Sequence, residues 1–166
     1  MSNVKEIIKK LNLRPHPEGG NFREIYRSKQ IIKTSSLPSR YHKNRSISTA
    51  IYFLLAKGQV SRFHKLKSDE IWHFYKGSSL ILHLLKDSKY RQVIVGNDIA
   101  KNVMPQYVIK AGTWFASEVK NKKSYSLIGC TVAPGFDFSD FKLAKRSELL
   151  KKFPQYQKII YRFTKD

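Results

Sequence analysis

The segment FHKLKSDEIWHFYKG, residues 63 to 77, contains the side chains of this sequence that are best suited to chemistry. His64, Glu70 and His73 offer imidazole and carboxylate groups, which bind divalent metals and transfer protons near neutral pH. The aromatic residues between them are typical of a strand, in which alternate side chains point to the same side. If Glu70 points inward, His73 therefore points outward. His64 and Glu70 are the candidate catalytic residues, and they are also the candidate ligands if a metal is bound.

The same alternation predicts a pocket around these two side chains. Its lining would consist of aromatic side chains from adjacent strands: Trp72, Phe74, Phe115 and either Tyr52 or Phe53. Aromatic rings with a few polar groups suit a sugar, a nucleoside or another flat ring. The rings could instead fill a protein core, and His64 and Glu70 could form a buried hydrogen-bonded pair that serves the architecture alone.

Short strands separated by polar turns would position these residues. The chain contains successive segments rich in β-branched and aromatic residues, at 47–56, 59–66, 70–76, 79–86, 90–95, 105–110, 113–119 and 124–133. Their spacing of roughly ten residues indicates a sandwich or barrel with one core.

The flanking segments follow other patterns. Apolar residues at helical spacing predict a helix from Val4 to Leu11, and a further strand is predicted from Asn21 to Ser28. Residues 29 to 45 are polar, basic and interrupted by proline, so we expect a long exposed loop. The period becomes helical again from residue 145, with a second short helix after Pro154. We therefore expect one domain over residues 1–166, with a barrel core at about 20–142 and a C-terminal helical segment at about 145–163.

Composition narrows the classes of function. Thirty-two basic and twelve acidic residues give a net charge of +20, which would favour binding to phosphate backbones. The basic residues are spread along the chain and not gathered in one arm or helix, so a lysine-rich solvated surface is expected and nucleic acid is not the expected partner. Cys130 is the single cysteine, the N-terminus lacks a secretory pattern, and the longest apolar run is too short to cross a bilayer. We expect a cytoplasmic protein without membrane contact.

The segment FHKLKSDEIWHFYKG also resembles part of a family motif. Five residues resemble the first motif of the cupin superfamily at its characteristic spacing: Gly58, His64, Leu66, Glu70 and Gly77. The stretch KAGTWF at 110–115 resembles the second cupin motif. Five segments in the right order are similar to the cupin_5 family (DUF985) of the RmlC-like cupins: HPEGGNFREIYRS, RSISTAIYFLL, FHKLKSDEIWHFYKG, PQYVIKAGTWFA and GCTVAPGFDFSDF. The resemblance implies a mainly β fold, the cupin double-stranded β-helix or jelly-roll-like barrel, and usually a homodimer. It implies no settled activity.

Departures from the cupin pattern bear on metal binding. In metal-binding cupins, two histidines one residue apart, a glutamate and a later histidine converge on one ion. The corresponding positions here are His64, Leu66, Glu70 and Phe115, so two of the four ligands remain. A tight divalent site generally needs at least three protein ligands. No cofactor is therefore expected, and a divalent metal on His64 and Glu70 is the less favoured alternative.

A second resemblance points to a class of substrate. Deoxysugar-nucleotide 3,5-epimerases are metal-free cupins that use a cavity histidine as base and bind nucleotide with an Arg-Gly-x-Phe-x-Glu segment. The stretch GNFRE at 20–24 is similar to that segment, although its arginine position is Gly19. This resemblance adds Phe22 and Glu24 to the ligand-binding candidates, and Gln106 joins them from the segment PQYVIKAGTWFA.

The stretch HPEGG also has a purely structural explanation. Two glycines after a proline are typical of a tight turn into an edge strand. That explanation accounts for the glycines, but it gives no reason for His16 and Glu18 beside them.

We therefore expect a metal-independent cupin that binds a small polar or aromatic ligand, such as a carbohydrate or nucleotide sugar. Isomerase- or epimerase-type acid–base chemistry would be carried out by His64. The alternatives are a cupin that binds its ligand without turnover, a metal-dependent cupin enzyme and a nonspecific nucleic-acid binder. The edge segment from Phe22 to Arg27 could extend the sheet of a second copy, which predicts a homodimer.

Overall fold

The computed structural model describes residues 4–165, which form two facing antiparallel β-sheets flanked by short helices. The strands are β1 (Arg14–Pro15), β2 (Asn21–Arg27), β3 (Ile31–Ile32), β4 (Arg45–Ser46), β5 (Thr49–Leu55), β6 (Val60–Lys65), β7 (Asp69–Gly77), β8 (Leu80–Lys86), β9 (Lys89–Val95), β10 (Gln106–Ile109), β11 (Trp114–Val119), β12 (Ser126–Ala133) and β13 (Lys142–Leu143). The α-helices are α1 (Val4–Lys10), α2 (Arg146–Lys152) and α3 (Gln157–Phe163). Single 3-10 turns lie at Thr34–Ser36, Ile99–Lys101, Phe138–Asp140 and Pro154–Tyr156.

The two sheets interleave strands that are distant in the chain. The first sheet has the order β1-β2-β5-β12-β7-β10 and the second the order β13-β6-β11-β8-β9. Strands β3 and β4 form a separate two-stranded ribbon. The mainly β prediction is confirmed, and each of the eight strands predicted between residues 47 and 133 has an observed counterpart within a few residues.

The barrel core lies between the two sheets. It is built by alternate residues of the facing strands, among them Phe53, Trp72, Leu82 and Ile128, each almost fully buried. Alternation explains this arrangement, because residues two apart in a strand point to the same side.

A second core lies on the other side of the second sheet. There α2, α3 and the turn between them pack on Phe63, Leu85 and Trp114. The central strands β8 and β11 of the second sheet are consequently buried on both faces, which explains why the β8 sequence LILHLLK is almost continuously apolar. His83 faces the helices, since its Nδ1 lies 2.7 Å from the Tyr90 hydroxyl and its ring lies 4.6 Å from that of Phe163.

The prediction of a long exposed loop over residues 29 to 45 is wrong in part. Ile31 and Ile32 pair with Ser46 and Arg45, and the Arg45 side chain is 3% exposed. Its guanidinium donates to both oxygens of Asp140, at 2.6 and 2.7 Å. Nothing local in the sequence predicts that contact, because the partner is 95 residues away.

Candidate active site

A cavity of about 340 Å³ opens between the sheets at the end where β1 and β2 meet the loop that follows β12. Polar groups reach its interior from several elements: His16 and Glu18 from the turn before β2, His64 from β6, and Glu70 from β7. Trp72 and Phe53 form part of the apolar lining of the cavity. A concave apolar site with a few convergent polar groups has the features of a small-molecule site.

The HPEGG turn is held tightly against β5 and β6. Gly19 has φ +115°, and a Cβ there would lie 2.1 Å from the Val60 carbonyl oxygen. The Arg62 N–H donates to the Glu18 carbonyl at 2.9 Å, and the Arg62 guanidinium donates to the Pro17 carbonyl. Glycine is required by this close approach and by the positive φ. The turn thereby fixes the Glu18 side chain inside the barrel, where it is 8% exposed.

Glu18 lies between two imidazoles. Its Oε2 is 3.1 Å from His64 Nε2 and 3.3 Å from His16 Nδ1. Its Oε1 accepts a hydrogen bond from the buried Ser61 hydroxyl at 2.8 Å. These contacts make a His16–Glu18–His64 cluster that joins a turn to a strand.

The hydrogen-bond partners of the two imidazoles indicate which group of this cluster carries the shared proton. His64 Nδ1 lies 2.7 Å from the Arg62 carbonyl oxygen, and because a carbonyl only accepts, Nδ1 must carry a hydrogen. In a neutral ring Nε2 is then an acceptor that faces Glu18. His16 Nδ1 accepts the Glu18 backbone N–H at 3.3 Å, so it is an acceptor as well. With neutral imidazoles, the proton between these groups therefore resides on the Glu18 carboxyl.

Burial favours the same uncharged arrangement. Desolvation lowers the pKa of His64 to about 3 and that of His16 to about 4. Desolvation also raises the pKa of Glu18 well above its usual range, and the nearby Glu70 carboxyl raises it further. Each shift has the sign that burial gives, since burial disfavours the charged form of either group.

Glu70 is the second carboxyl of the cavity. Desolvation raises its pKa to about 7, opposed in part by the Trp72 indole and the Cys130 thiol. Within residues 4–165, Glu70 Oε2 and Trp72 Nε1 are buried without a hydrogen-bond partner of good geometry. A buried acceptor and a buried donor in a cavity wall are available to a ligand.

Five of the sequence-predicted site residues line the cavity, namely His64, Glu70, Phe22, Glu24 and Trp72. Glu24 lies at the mouth, where its carboxylate binds Arg27 with both oxygens at 2.9 and 2.7 Å.

The other predicted residues lie elsewhere. Tyr52 points to the outer face of the first sheet, 6.1 Å from the Tyr75 ring, because its neighbours Ile51 and Phe53 are the residues of β5 that face inward. Phe53, and not Tyr52, therefore lines the cavity. Gln106 is exposed on β10, opposite His73.

Phe115 and Phe74 belong to the barrel core and not to the cavity lining. Phe115 pairs with His64 across the β6–β11 ladder, and the two rings lie 4.0 Å apart. It therefore supports the imidazole from behind. Phe74 shares the inner face of β7 with Trp72 but packs on the barrel core farther along the strand. His73 lies on the outer face, with Nε2 3.0 Å from the Thr131 hydroxyl, as the alternation predicts.

His16 and Glu18 are the site residues that the motif analysis did not assign. The signal was present in HPEGG, where a turn explains the glycines but neither polar neighbour. Their role depends on the contact between this turn and β6, which a single sequence does not reveal.

The side chains do not fit the metal centre found in many cupins. Leu66 lines the cavity where a second histidine would stand, and Phe115 occupies the position of the last one. In residues 4–165, no three or more His, Cys, Asp or Glu side chains are grouped so that they could hold a metal ion. We derive no step through a metal.

The two-sheet barrel with a polar cavity at one end defines a cupin. The family described as "Cupin superfamily (DUF985)", Cupin_5, matches residues 5–144, and the chain belongs to it. The chain is 36% identical to a Shewanella oneidensis protein of known crystal structure, with a TM-score of 0.89 and 99% of each chain covered. A Leishmania major hypothetical protein is 32% identical, with a TM-score of 0.88 and 99% and 100% of the two chains covered.

More distant similarities agree with this assignment. An uncharacterized Saccharomyces cerevisiae protein is 28% identical over 159 residues, which are 90% of this chain and 79% of the yeast protein. Bacillus subtilis oxalate decarboxylase is 11% identical with a TM-score of 0.54, over 90% of this chain and 36% of the decarboxylase, and this likeness concerns the fold alone. Among residues 4–165 we find no helix with the length and apolarity needed to span a membrane.

Proposed function

We propose that this cupin binds a small polar ligand, a carbohydrate or a nucleotide-sugar derivative, in the barrel cavity and catalyses isomerase- or epimerase-type proton transfer there. The observation that carries the proposal is the His16–Glu18–His64 cluster, in which Glu18 Oε2 lies 3.1 Å from His64 Nε2, within reach for sharing one proton, beside a ligand-sized cavity. Perturbed titratable groups in a cleft are characteristic of functional sites.

The two carboxyls suit different halves of such a reaction. Burial raises the pKa of Glu70 to about 7, and its Oε2 has no hydrogen-bond partner among the described residues, so the carboxylate can take a proton from a ligand C–H beside a carbonyl. The Glu18–His64 pair can return one proton to the ligand. When the environments of two titratable groups shift their pKa values apart, one group can act as the acid and the other as the base.

Binding without turnover is the second candidate function. Burial lowers the pKa of His64 to about 3, which makes this imidazole a weak base while Glu18 holds the shared proton. A site of that kind can bind hydroxyl groups through the same atoms and transfer nothing.

Proton exchange in deuterium oxide separates the two candidates. Wild-type protein would be incubated with a panel of sugars and sugar nucleotides, and carbon-bound deuterium would be measured by NMR. We expect incorporation that falls at least about a hundredfold in His64→Asn. The matched control is His42→Asn, since His42 is exposed outside the cavity.

Two results would contradict the catalytic proposal. If His64→Asn weakens ligand binding but no compound shows deuterium exchange, the function would be binding without turnover. Exchange that requires added divalent metal and is abolished by chelation would instead support a metal-dependent enzyme.

Binding of DNA or RNA that disappears at moderate salt without sequence preference would identify nonspecific charge attraction.

We also propose a homodimer formed through β2. This strand pairs with β5 on one side, but on the other side β1 covers only Asn21 and Phe22. The remaining edge carries the half-exposed apolar side chains of Ile25 and Tyr26. An uncovered edge strand of this kind can pair with a second copy. Sizing coupled to light scattering should give twice the chain mass, and a monomer at micromolar concentration would contradict this proposal.

A further inference from the structure

The mouth of the cavity contains a guanidinium without a carboxylate partner. Arg14, on β1, lines the cavity and lies 5.2 Å from the centre of the Phe22 ring. Apart from this ring contact, the Arg14 side chain makes no ion pair or hydrogen bond within residues 4–165.

The other charged groups at the mouth are already engaged. Arg27 donates to both oxygens of Glu24 and to the Phe136 carbonyl at 3.0 Å. Asp137 accepts two hydrogen bonds from Ser139, at 2.8 and 2.6 Å, through one carboxylate oxygen. Arg14 is therefore the cation of the mouth that a bound anion can reach without displacing a partner.

The interior of the cavity differs from its mouth in charge. The two arginines among the described lining residues, Arg14 and Arg27, lie at the mouth, whereas the two carboxyls of the interior, Glu18 and Glu70, are buried. An anionic group placed there would be desolvated without a compensating cation, which is costly. Uncharged hydroxyl groups suit it better, because they both donate and accept, and the buried Glu70 Oε2 and Trp72 Nε1, which lack a partner of good geometry among the described residues, can take one of each.

The volume limits the size of the ligand. About 340 Å³ lies near the low end of the roughly 300–1,000 Å³ range of small-molecule pockets. One ring or a short chain fits this space, whereas a complete nucleotide sugar would leave its nucleotide outside. The net charge of +20 attracts anions to the surface in general, but it does not select one position.

We propose that the ligand of this cavity is a small hydroxylated anion, whose phosphate or carboxylate binds Arg14 at the mouth while its uncharged hydroxyl-bearing part lies against Glu70 and His64. The proposal rests on the proposed function, since it uses the same cavity, but it concerns the charge and size of the ligand and not its reaction.

Calorimetric titration tests the proposal with three probes of similar size: glucose, glucose 1-phosphate and glucuronate. We expect the wild-type protein to bind one of the two anionic probes about tenfold or more tightly than glucose, as a charge-assisted hydrogen bond allows. Which anion binds more tightly decides between a phosphate and a carboxylate ligand. Arg14→Gln should abolish the preference and Arg14→Lys should restore part of it. Arg23→Gln is the matched control, since Arg23 is an exposed arginine of β2 outside the cavity.

The outcomes separate this proposal from the proposed function. Equal binding of glucose and both anions, weakened by His64→Asn, would overturn the anion proposal and leave the cavity function standing. Anion preference that depends on Arg14, with no deuterium exchange into the bound anion, would support the anion proposal and count against chemistry at His64. Equal losses in Arg14→Gln and Arg23→Gln, or no binding of any probe, would overturn the anion proposal.

Discussion

Replacing Glu70 by glutamine should change how stability depends on pH. Burial raises the pKa of Glu70 from 4.5 to about 7, so the folded protein retains a proton there that the unfolded chain has released. Between these pH values the folded state binds more protons, and the free energy of unfolding falls as pH rises. Glutamine cannot ionise and keeps the size and polarity of the protonated acid. The variant should therefore gain stability relative to the wild type as pH rises through this window.

The magnitude follows from the size of the shift. A difference of one pKa unit corresponds to about 1.4 kcal/mol, so a shift from 4.5 to about 7 corresponds to about 3 kcal/mol. Near pH 4.5 the two proteins should differ only by a constant packing offset. Above pH 7 the variant should be more stable by about 3 kcal/mol beyond that offset.

Urea unfolding at a series of pH values from 4.5 to 8.5 measures this difference. Glu6→Gln is the matched control, because Glu6 is an exposed residue of α1 that pairs with Lys10 at 2.9 Å. Its curve should stay parallel to that of the wild type. A pH-independent difference between Glu70→Gln and the wild type would refute the conclusion that burial holds Glu70 uncharged.

Three further predictions concern stability. Wild-type stability should rise from pH 4.5 to 6.5, because burial lowers the pKa of four imidazoles, His16, His64, His73 and His83, and raises that of only two carboxyls, Glu18 and Glu70, so the unfolded chain binds more protons there. Above pH 7 stability should fall, because only the folded state still holds carboxyl protons, and a stability that keeps rising to pH 8 would contradict the proton count. Gly19→Ala should destabilise at least twice as much as Gly58→Ala, which has φ +73° but open space around it and should cost about 1 kcal/mol in urea unfolding. Equal losses would show that the HPEGG turn can move away. Arg45→Met should cost about 3 kcal/mol because it leaves the buried Asp140 with only the longer contact to Lys67 Nζ at 3.6 Å, and Arg45→Met/Asp140→Leu should regain most of that loss; no recovery in the double variant would contradict the pairing.

Strand positions could be predicted from the sequence because they depend on local patterns. Alternation along β7 places Glu70 and Trp72 inside and His73 outside, and the structure has that arrangement. Alternation alone could not choose between Tyr52 and Phe53, since neighbouring residues on β5 differ only in which face meets the barrel. The choice depends on register with β2 and β12, which pair with β5 on either side.

Only His64 of the His16–Glu18–His64 cluster could be predicted from the sequence. His64 stands in a recognisable motif, whereas Glu18 reaches it through a turn that packs on β6, 43 residues away at the Ser61 contact. The buried Arg45–Asp140 pair could not be predicted for the same reason, because its two partners, on β4 and in the 3-10 turn after β12, are 95 residues apart. Contacts of this kind depend on tertiary packing, which local periodicity does not encode.

The central claim is that His64 and Glu18 share one proton in an uncharged, ligand-sized cavity. The most direct test is a long-range ¹H–¹⁵N NMR titration of histidine-labelled protein from pH 5 to 8, with the His64 signals assigned by comparison with His64→Asn. Neutral His64 with hydrogen on Nδ1 across this range is the predicted result, since Nδ1 donates to the Arg62 carbonyl and burial lowers the pKa of the ring to about 3. An imidazolium at pH 6, or a neutral ring with hydrogen on Nε2, would contradict it.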